Sequence, residues 1–286
     1  MTVGGALKKY HNIEIDLLLA FVLKKSREFL YLWPNHRLTQ KQTNRLTRMV
    51  QRRIKGEPMA YILGYKDFMG HRFAVNKDVL IPRPETEEIV ERILNKELGI
   101  RNKKSIRILD VGTGSGCIAI SLAKELSIKN YEVSITASDI SEKALVVARQ
   151  NAKMHKVKIK FKHSDILQNV GMLFDVVVAN LPYLPSEALA KEGGWSEWKN
   201  NSSVETVGLK FEPKQALFTK EKGLYLIHRL LYQISMLKQK PKYIFLEFGP
   251  RQKIALAKLI KKILPKASRE FFKDYAGHWR VAVVKS

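Results

Sequence analysis

The chain has 286 residues, of which 45% are hydrophobic, enough for one large domain and a small one. Its 51 Lys and Arg residues outnumber 27 Asp and Glu, which gives a formal net charge of +24. This charge favours contact with polyanions such as nucleic acids, but it is also typical of a surface that only keeps a protein soluble. A single cysteine excludes an intramolecular disulfide and a multi-cysteine zinc site, and no histidine spacing suggests a bound metal. With no membrane-spanning stretch and no signal-peptide layout, we expect a cytoplasmic protein. We also expect a monomer.

The first 60 residues of the chain are predicted to form a helical and basic region. Residues 1–56 carry 12 basic and 3 acidic side chains. Apolar residues recur at helical spacing over 12–30, and Thr39 is a suitable N-cap for a second helix that ends near Ile54. We therefore predict a small helical domain over 1–60. Aromatic residues and turn signals then indicate a hairpin-like connector over 61–85.

A helix is expected over 86–98, and from residue 106 onward strand and helix patterns alternate. Apolar runs predict strands at 106–111, 133–138, 157–161, 174–179, 243–248 and 279–284. Helical patterns fall between them, over 118–126, 141–154, 220–238 and 251–263. This alternation predicts a Rossmann-like α/β domain over 86–286, with a mostly parallel sheet covered on both faces. Ligands of such sheets sit beyond the carboxyl ends of the strands, so strand-end residues are the candidates for a site.

The first predicted strand leads into a glycine-rich loop, Asp110-Val111-Gly112-Thr113-Gly114-Ser115-Gly116. Glycine at alternate positions allows a sharp turn and a close approach of a ligand to the backbone. The spacing differs from the dinucleotide fingerprint, and the Asp110 carboxylate would repel a pyrophosphate but suit an ammonium group. The loop therefore favours S-adenosylmethionine, which has an amino-acid tail and no phosphate.

Two further aspartates follow the next two strands. Asp139 is placed to accept both ribose hydroxyl hydrogens, and Asp165 to accept from the adenine amino group, with Ile166 against the ring. Each aspartate alone is more often a helix cap or a turn residue. Their order predicts a cofactor site made of Asp110, Gly112, Thr113, Gly114, Ser115, Gly116, Asp139, Asp165 and Ile166, with Asn180 adjoining it.

A fourth strand ends in Asn180-Leu181-Pro182-Tyr183. The Asn180 side-chain oxygen and the Leu181 carbonyl can each accept one N–H of a planar NH₂ group, which aims the nitrogen at a methyl donor. Tyr183 is predicted to stack on that group. Asn180, Pro182 and Tyr183 are the predicted catalytic residues, and all four motif residues are predicted to bind substrate. The alternative is a simple Asn-Pro turn after a strand.

The motif is similar to the Asn/Asp-Pro-Pro-Tyr motif of amino-group methyltransferases, and further segments extend the likeness. These are Gly56-Glu57-Pro58, Tyr61-Ile62-Leu63-Gly64, Ile81-Pro82-Arg83-Pro84-Glu85-Thr86-Glu87, Phe211-Glu212-Pro213, Leu246-Glu247-Phe248-Gly249 and Asp274-Tyr275-Ala276-Gly277 followed by Arg280. In this order they resemble the PrmC/HemK family, from about residue 11 to the end.

The resemblance implies a class I methyltransferase domain with a mostly parallel seven-stranded sheet. It also implies methyl transfer to the glutamine of the Gly-Gly-Gln motif in peptide-chain release factors. Residues 112–116 and Asp139 would hold the cofactor, residues 180–183 would hold the glutamine amide, and the helical domain would recognise the release factor. Independently of the resemblance, the basic charge suggests a ribosome or RNA nearby. Arg83, Glu85 and Thr86 are expected near the mouth of the site.

Leu181 stands where the family usually has proline. The resulting motif, Asn-Leu-Pro-Tyr, is also similar to the motif of ribosomal RNA adenine dimethylases. An RNA adenine methyltransferase is therefore an alternative function, and a non-catalytic binding module is a third. The segment 184–210 is longer than usual, and Trp195 and Trp198 within it are expected either to belong to a substrate-covering lid or to anchor a surface loop.

Overall fold

The computed structural model of the protein describes residues 1–95, 105–129, 131–171, 173–186 and 208–286. Contacts divide the chain into two compact units. One comprises Met1–Tyr65 with Val207–Phe211, and the other Lys66–Thr206 with Glu212–Ser286. The domain limits at residues 60 and 85 stay predictions.

Among its described residues the first unit contains five α-helices, α1 (Val3–Lys9), α2 (Ile15–Leu23), α3 (Arg27–Leu32), α4 (Gln40–Ile54) and α5 (Met59–Leu63), and one 3-10 helix, Gly208–Phe211. Thr39 caps α4 in a reciprocal arrangement with Gln42 at the third helical position. The sequence predicted one helical stretch over 12–30, but the structure has two helices there. Lys24 ends α2 in the left-handed conformation at φ 55°, and the Ser26 side chain caps α3.

A hairpin of β1 (Tyr65–Phe68) and β2 (His71–Ala74) leads into the second unit. Its two-residue turn has positive φ at both Met69 and Gly70, as hairpin turns that match the twist of the strands require.

The second unit is built on a seven-stranded sheet of β3 (Ile106–Val111), β4 (Val133–Asp139), β5 (Lys160–His163), β6 (Val176–Ala179), β9 (Tyr243–Glu247), β10 (Ser268–Lys273) and β11 (Trp279–Lys285). The order is β10-β11-β9-β6-β3-β4-β5, with β11 antiparallel to both neighbours and the other pairs parallel. This confirms the predicted fold class. The sequence missed β10, an edge strand whose partly exposed, charged residues give no apolar run. Leu184–Pro185 (β7) and Phe218–Thr219 (β8) form a separate short parallel pair.

Helices cover both faces of this sheet: α6 (Pro84–Asn95), α7 (Cys117–Ile128), α8 (Glu142–Met154), α10 (Tyr225–Ser235) and α11 (Lys253–Ile263). The short helix α9 (Lys214–Leu217) contacts β8 of the separate pair instead. Successive residues of β3 belong to different cores: Ile108 packs in one with residues of α6 and α7, and Leu109 in another with residues of α10 and α11. The chain crosses between the two faces where β3 separates β4 from β6, so the carboxyl ends of these strands open into a crevice.

Candidate active site

A cavity of about 490 Å³ lies beyond the carboxyl ends of the central strands. It is lined by residues 112–115, Asp139, Asp165, Ile166 and residues 180–182, which the sequence had assigned to the cofactor and to the acceptor group. Asp110, Gly116 and Tyr183 are not among the described residues that line it. The fold therefore brings both predicted half-sites into one space.

The glycine-rich loop is fixed against the neighbouring strand and against the acceptor motif. The backbone N–H groups of Gly112 and Thr113 donate to the Ser138 carbonyl over 2.8 and 2.9 Å. Gly112 has a φ of 73°, and a Cβ placed there would lie 2.9 Å from Cδ2 of Leu181. Glycine meets both conditions without strain, whereas another residue would adopt an unfavourable backbone conformation and push the Leu181 side chain aside.

Asp110 is buried at the end of β3 with an incomplete set of hydrogen bonds. The Thr113 hydroxyl donates to its Oδ2 over 2.6 Å, while Oδ1 makes no hydrogen bond of normal geometry among the described residues. The backbone N–H of Ala119 is still close enough to lower the pKa of the carboxyl group, as Thr113 does. Burial raises the pKa of Asp110 to about 7. A buried carboxylate in this condition is stabilised by a positively charged neighbour.

Asp139 and Asp165 line the cavity with different partners. The carboxylate of Asp139 accepts from the backbone N–H groups of Gly114 and Ser141, each over 2.9 Å, and burial raises its pKa. Asp165 accepts two hydrogen bonds from the Arg229 guanidinium, over 3.1 and 2.8 Å. Each carboxylate oxygen keeps acceptor capacity after these contacts.

Ile166 adopts a backbone conformation that β-branched residues rarely adopt, with φ at 57°. The Ser164 hydroxyl donates to its carbonyl over 3.2 Å, and the following N–H, of Leu167, donates to the Gln233 side chain over 3.0 Å. The side chain is buried and faces the cavity. Strain that is held by several contacts is common where a ligand is clamped.

Asn180 is joined to Thr86, which was expected near the mouth of the site without a role of its own, and through it to Glu247, whose role the sequence left open. Its Nδ2 donates to the Thr86 hydroxyl over 3.0 Å, and that hydroxyl donates to Oε2 of Glu247 over 2.7 Å. The Tyr183 hydroxyl donates to Oε1 of the same carboxylate over 3.1 Å. This contact accounts for the hydroxyl of Tyr183 but does not test the stacking of its ring on the acceptor group, which stays a prediction.

Arg280 supplies positive charge behind this network. It is buried, donates twice to Asp274 over 3.1 Å, and lies 3.5 Å from the Tyr183 hydroxyl through Nη1. Burial raises the pKa of Glu247, and the charge of Arg280 opposes that change. The only sequence signal for this network was that Glu247 and Arg280 belong to segments that resemble the family. That signal did not predict which residues contact each other.

Arg83, whose role the sequence left open, lines the cavity and is held by another buried carboxylate. Its Nη2 lies 2.5 Å from Oε1 of Glu212, and the N–H of Ile81 donates to Oε2 over 3.0 Å. Two family-like segments, 81–87 and 211–213, are thereby fastened together. Cys117 is also buried, and burial raises the pKa of its thiol to about 12, as expected for a packing residue.

The predictions for Trp195 and Trp198 lie outside the described residues. In the parts of the chain that the structure covers, no helix combines the length and apolarity that crossing a bilayer requires.

Residues 9–64 match the PrmC N-terminal domain family, and residues 90–194 match the methyltransferase small domain family. The release factor glutamine methyltransferase of Bacillus cereus is 32% identical over 93% of this chain and 89% of its own length. That of Streptococcus pneumoniae is 34% identical over 96% of both chains. The chain belongs to the release factor glutamine methyltransferase family. Membership accounts for the ordered segments outside the Asn-Leu-Pro-Tyr motif, which a shared fold alone would not preserve.

Solved structures support the fold of this family member at lower identity. The hMettl16 catalytic domain in complex with an RNA hairpin has a TM-score of 0.55 and 17% identity, over 88% of this chain and 85% of that chain. A Thermus thermophilus 16S rRNA methyltransferase, in complex with AdoMet and guanosine, has a TM-score of 0.50 and 13% identity, over 78% of this chain and 49% of that chain. These similarities concern the fold alone.

Proposed function

We propose that this enzyme transfers a methyl group from S-adenosylmethionine to the side-chain amide nitrogen of glutamine in the Gly-Gly-Gln motif of peptide-chain release factors. The observation that carries the proposal is the single cavity in which the glycine-rich loop faces Asn180. Relatives that carry this activity in their names match nearly the whole chain. The alternative of ribosomal RNA adenine methylation, which rested on Leu181 and on charge, is therefore not favoured.

The cavity fits S-adenosylmethionine in its charge as well as in its size. Asp110 does not line the cavity itself but adjoins the lining residues Val111 and Gly112, and its buried charge favours the ammonium group of the cofactor on electrostatic grounds. Residues 112–116 are assigned to the methionine portion and Asp139 to the ribose hydroxyls. Asp165, oriented by Arg229, is assigned to the adenine amino group, with Ile166 against the ring.

The acceptor amide is a poor nucleophile because its nitrogen lone pair is delocalised into the carbonyl. When bound, S-adenosylmethionine supplies a methyl group made electrophilic by the positive sulfur. The Asn180 side-chain oxygen and the Leu181 carbonyl each accept one N–H of the glutamine, which fixes the plane of the amide and draws electron density toward nitrogen. Leucine in place of proline keeps this carbonyl, and the close approach of Leu181 to Gly112 keeps it in position.

The proposal is tested by methyl transfer from labelled S-adenosylmethionine to recombinant release factor and to ribosomal RNA, side by side. Label should appear on the release factor and disappear when the glutamine of its Gly-Gly-Gln motif is changed. Label on RNA alone would contradict the proposal. A cytoplasmic location is part of this proposal, because release factors act in translation, and the monomeric state stays a prediction.

The helical unit is proposed to recognise the release factor through a basic groove on α4. Three exposed cations at helical spacing, Lys41, Arg45 and Arg48, border a groove of about 500 Å³ whose apolar wall includes Phe21 and Met49. Such a groove suits an acidic segment that also inserts an apolar side chain.

Replacing Arg45 and Arg48 together with glutamine is expected to lower kcat/KM for the release factor about tenfold, with little change in kcat, because the groove acts on association. The matched control is Lys8→Gln with Lys9→Gln, which removes the same charge from α1. Steady-state kinetics with full-length release factor and with a short Gly-Gly-Gln peptide will separate the effects. An equal loss with the peptide would contradict a docking role. Weakened binding of ribosomal RNA, without loss on the release factor, would instead assign the groove to the predicted RNA proximity.

Cofactor affinity is expected to depend on the ionisation of Asp110. Because its pKa is about 7 without a ligand, binding of an ammonium group below that pH must first remove a proton. Affinity should then fall by up to about tenfold per pH unit below 7. It should fall again above about pH 8, where the α-amino group of the cofactor loses its own proton.

Calorimetric titration across this pH range will measure the effect. Asp110→Asn should abolish the low-pH limb and weaken binding at neutral pH. Asp67→Asn, an exposed carboxylate in the hairpin, should leave the profile unchanged. A wild-type affinity that is flat between pH 5.5 and 7.5 would refute the assignment of Asp110 to the ammonium group.

A further inference from the structure

The hydrogen bonds around Asn180 form a relay from Asn180 through Thr86 to Glu247, and Glu247 sets the direction in which the hydrogens are donated. The relay joins the carboxyl end of β6, the first turn of α6 and the end of β9, so residues 94 and 161 positions apart meet. Thr86 and Glu247 are both nearly inaccessible, at 2% and 1% exposure, so water does not compete for these contacts. The relay therefore has to satisfy its own donors and acceptors.

An ionised carboxylate can only accept hydrogen bonds. The Thr86 hydroxyl has one hydrogen, which it gives to Glu247 over 2.7 Å, so only its lone pairs face Asn180. Asn180 must then turn its NH₂ group toward Thr86 and its carbonyl oxygen the other way. The two ends of an asparagine amide have nearly the same shape, so packing alone distinguishes them poorly.

Burial raises the pKa of Glu247, but its hydrogen-bond donors and the charge of Arg280 oppose this change and favour the ionised form, which only accepts. The Tyr183 hydroxyl donates to its second oxygen, and the guanidinium of Arg280, held by Asp274, places positive charge nearby. Asp274 and Arg280 belong to the C-terminal segment of the chain, far from the Asn180 motif in sequence. The charge balance of the relay thus depends on elements from four parts of the second unit.

We propose that Thr86 and Glu247 are positioning residues that fix the polarity of Asn180, so that its carbonyl oxygen faces the N–H of the acceptor amide. This inference rests on the proposed function. A reversed Asn180 would present its own NH₂ to the NH₂ of glutamine, donor against donor, and the acceptor would lose one of its two anchors. The relay also gives specificity, because it selects acceptor groups that donate and excludes groups that only accept.

The test compares Thr86→Val, which keeps the shape but lacks the hydroxyl, with Thr86→Ser, which retains it, in the full-length protein. Thr86→Val is expected to lower kcat about 10- to 100-fold, with S-adenosylmethionine affinity changed less than about twofold. Thr86→Ser should restore most of the rate. Glu247→Gln can donate to Thr86 and so permits both orientations of Asn180, and its loss should not add to that of Thr86→Val.

In an Asn180→Ala background, Thr86→Val should cause no further loss of rate, since the relay then has nothing to orient. An equal loss in both backgrounds, or a parallel loss of cofactor affinity, would show that Thr86 acts by packing and would overturn the inference.

A second readout does not depend on the substrate. In protein labelled with ¹⁵N-asparagine, the Asn180 side-chain NH₂ signal is identified by its absence in Asn180→Ala. It should be protected from hydrogen exchange in the wild type and in Thr86→Ser, but not in Thr86→Val. A wild-type enzyme that does not methylate release factor contradicts the proposed function and leaves this readout intact, whereas an unprotected signal in an active enzyme overturns the relay.

Discussion

Asn180→Ala is expected to lower the rate of methyl transfer about 1,000-fold and to leave S-adenosylmethionine affinity within about threefold of the wild type. The side-chain oxygen of Asn180 is assigned to the reacting amide, so its contribution is realised as the nitrogen attacks. The cofactor keeps Asp110, the glycine loop and Asp139, none of which depends on the Asn180 side chain. Single-turnover kinetics at saturating cofactor, together with calorimetric titration, will separate the two effects.

Asn169→Ala is a suitable control for this variant, because the side chain of Asn169 is exposed on the loop after β5. It should keep both rate and affinity. A loss of cofactor affinity in Asn180→Ala comparable to the loss of rate would mean that Asn180 holds the cofactor and not the acceptor amide.

Gly223→Ala is expected to lower kcat about 100-fold and to destabilise the second unit. A Cβ at position 223 would lie 2.0 Å from the Tyr183 carbonyl oxygen and 2.2 Å from Nε2 of Gln252. That Gln252 nitrogen donates to the carbonyls of Tyr183 and Lys222 over 2.8 and 2.9 Å, which fastens the acceptor motif to the neighbouring turn. The methyl group must therefore push the motif outward, and displacement by about 1 Å is sufficient for a loss of this size.

Gly277→Ala is a matched control because it separates the clash from backbone strain. Gly223 and Gly277 have nearly the same φ, 87° and 83°, but a Cβ at Gly277 would meet nothing within 4 Å. Gly277→Ala should cost about 1 to 2 kcal/mol of stability and keep kcat. Thermal unfolding and steady-state kinetics of both variants will check this, and equal kcat values would refute the role of the Tyr183 contact.

Sequence patterns located most of the elements, because apolar periodicity and caps are local signals. Thr39, the predicted N-cap, defined the start of α4 correctly. The errors occurred where a local signal is weak. The helix ends at Lys24 in the left-handed conformation, which is usually signalled by glycine in the sequence but here is not. The edge strand β10 is partly exposed and therefore lacks an apolar run. At the first place the left-handed Lys24 and the Ser26 cap decide the structure, and at the second the pairing of β10 with β11 decides it.

By itself, the sequence determined which residues end the strands. It therefore also predicted that the glycine loop, Asp139 and the Asn180 motif lie together at one edge of the sheet. This was possible because the carboxyl ends of parallel strands lie together whatever the details of packing. The tertiary structure decided which residues support them. Thr86 and Glu247 lie 94 and 67 positions from Asn180 in the chain and meet it through the hydrogen-bond relay only when α6, β6 and β9 pack together. The direction of a hydrogen bond depends on what the next group in the relay can donate, so the orientation of Asn180 follows from these distant contacts and not from its own motif.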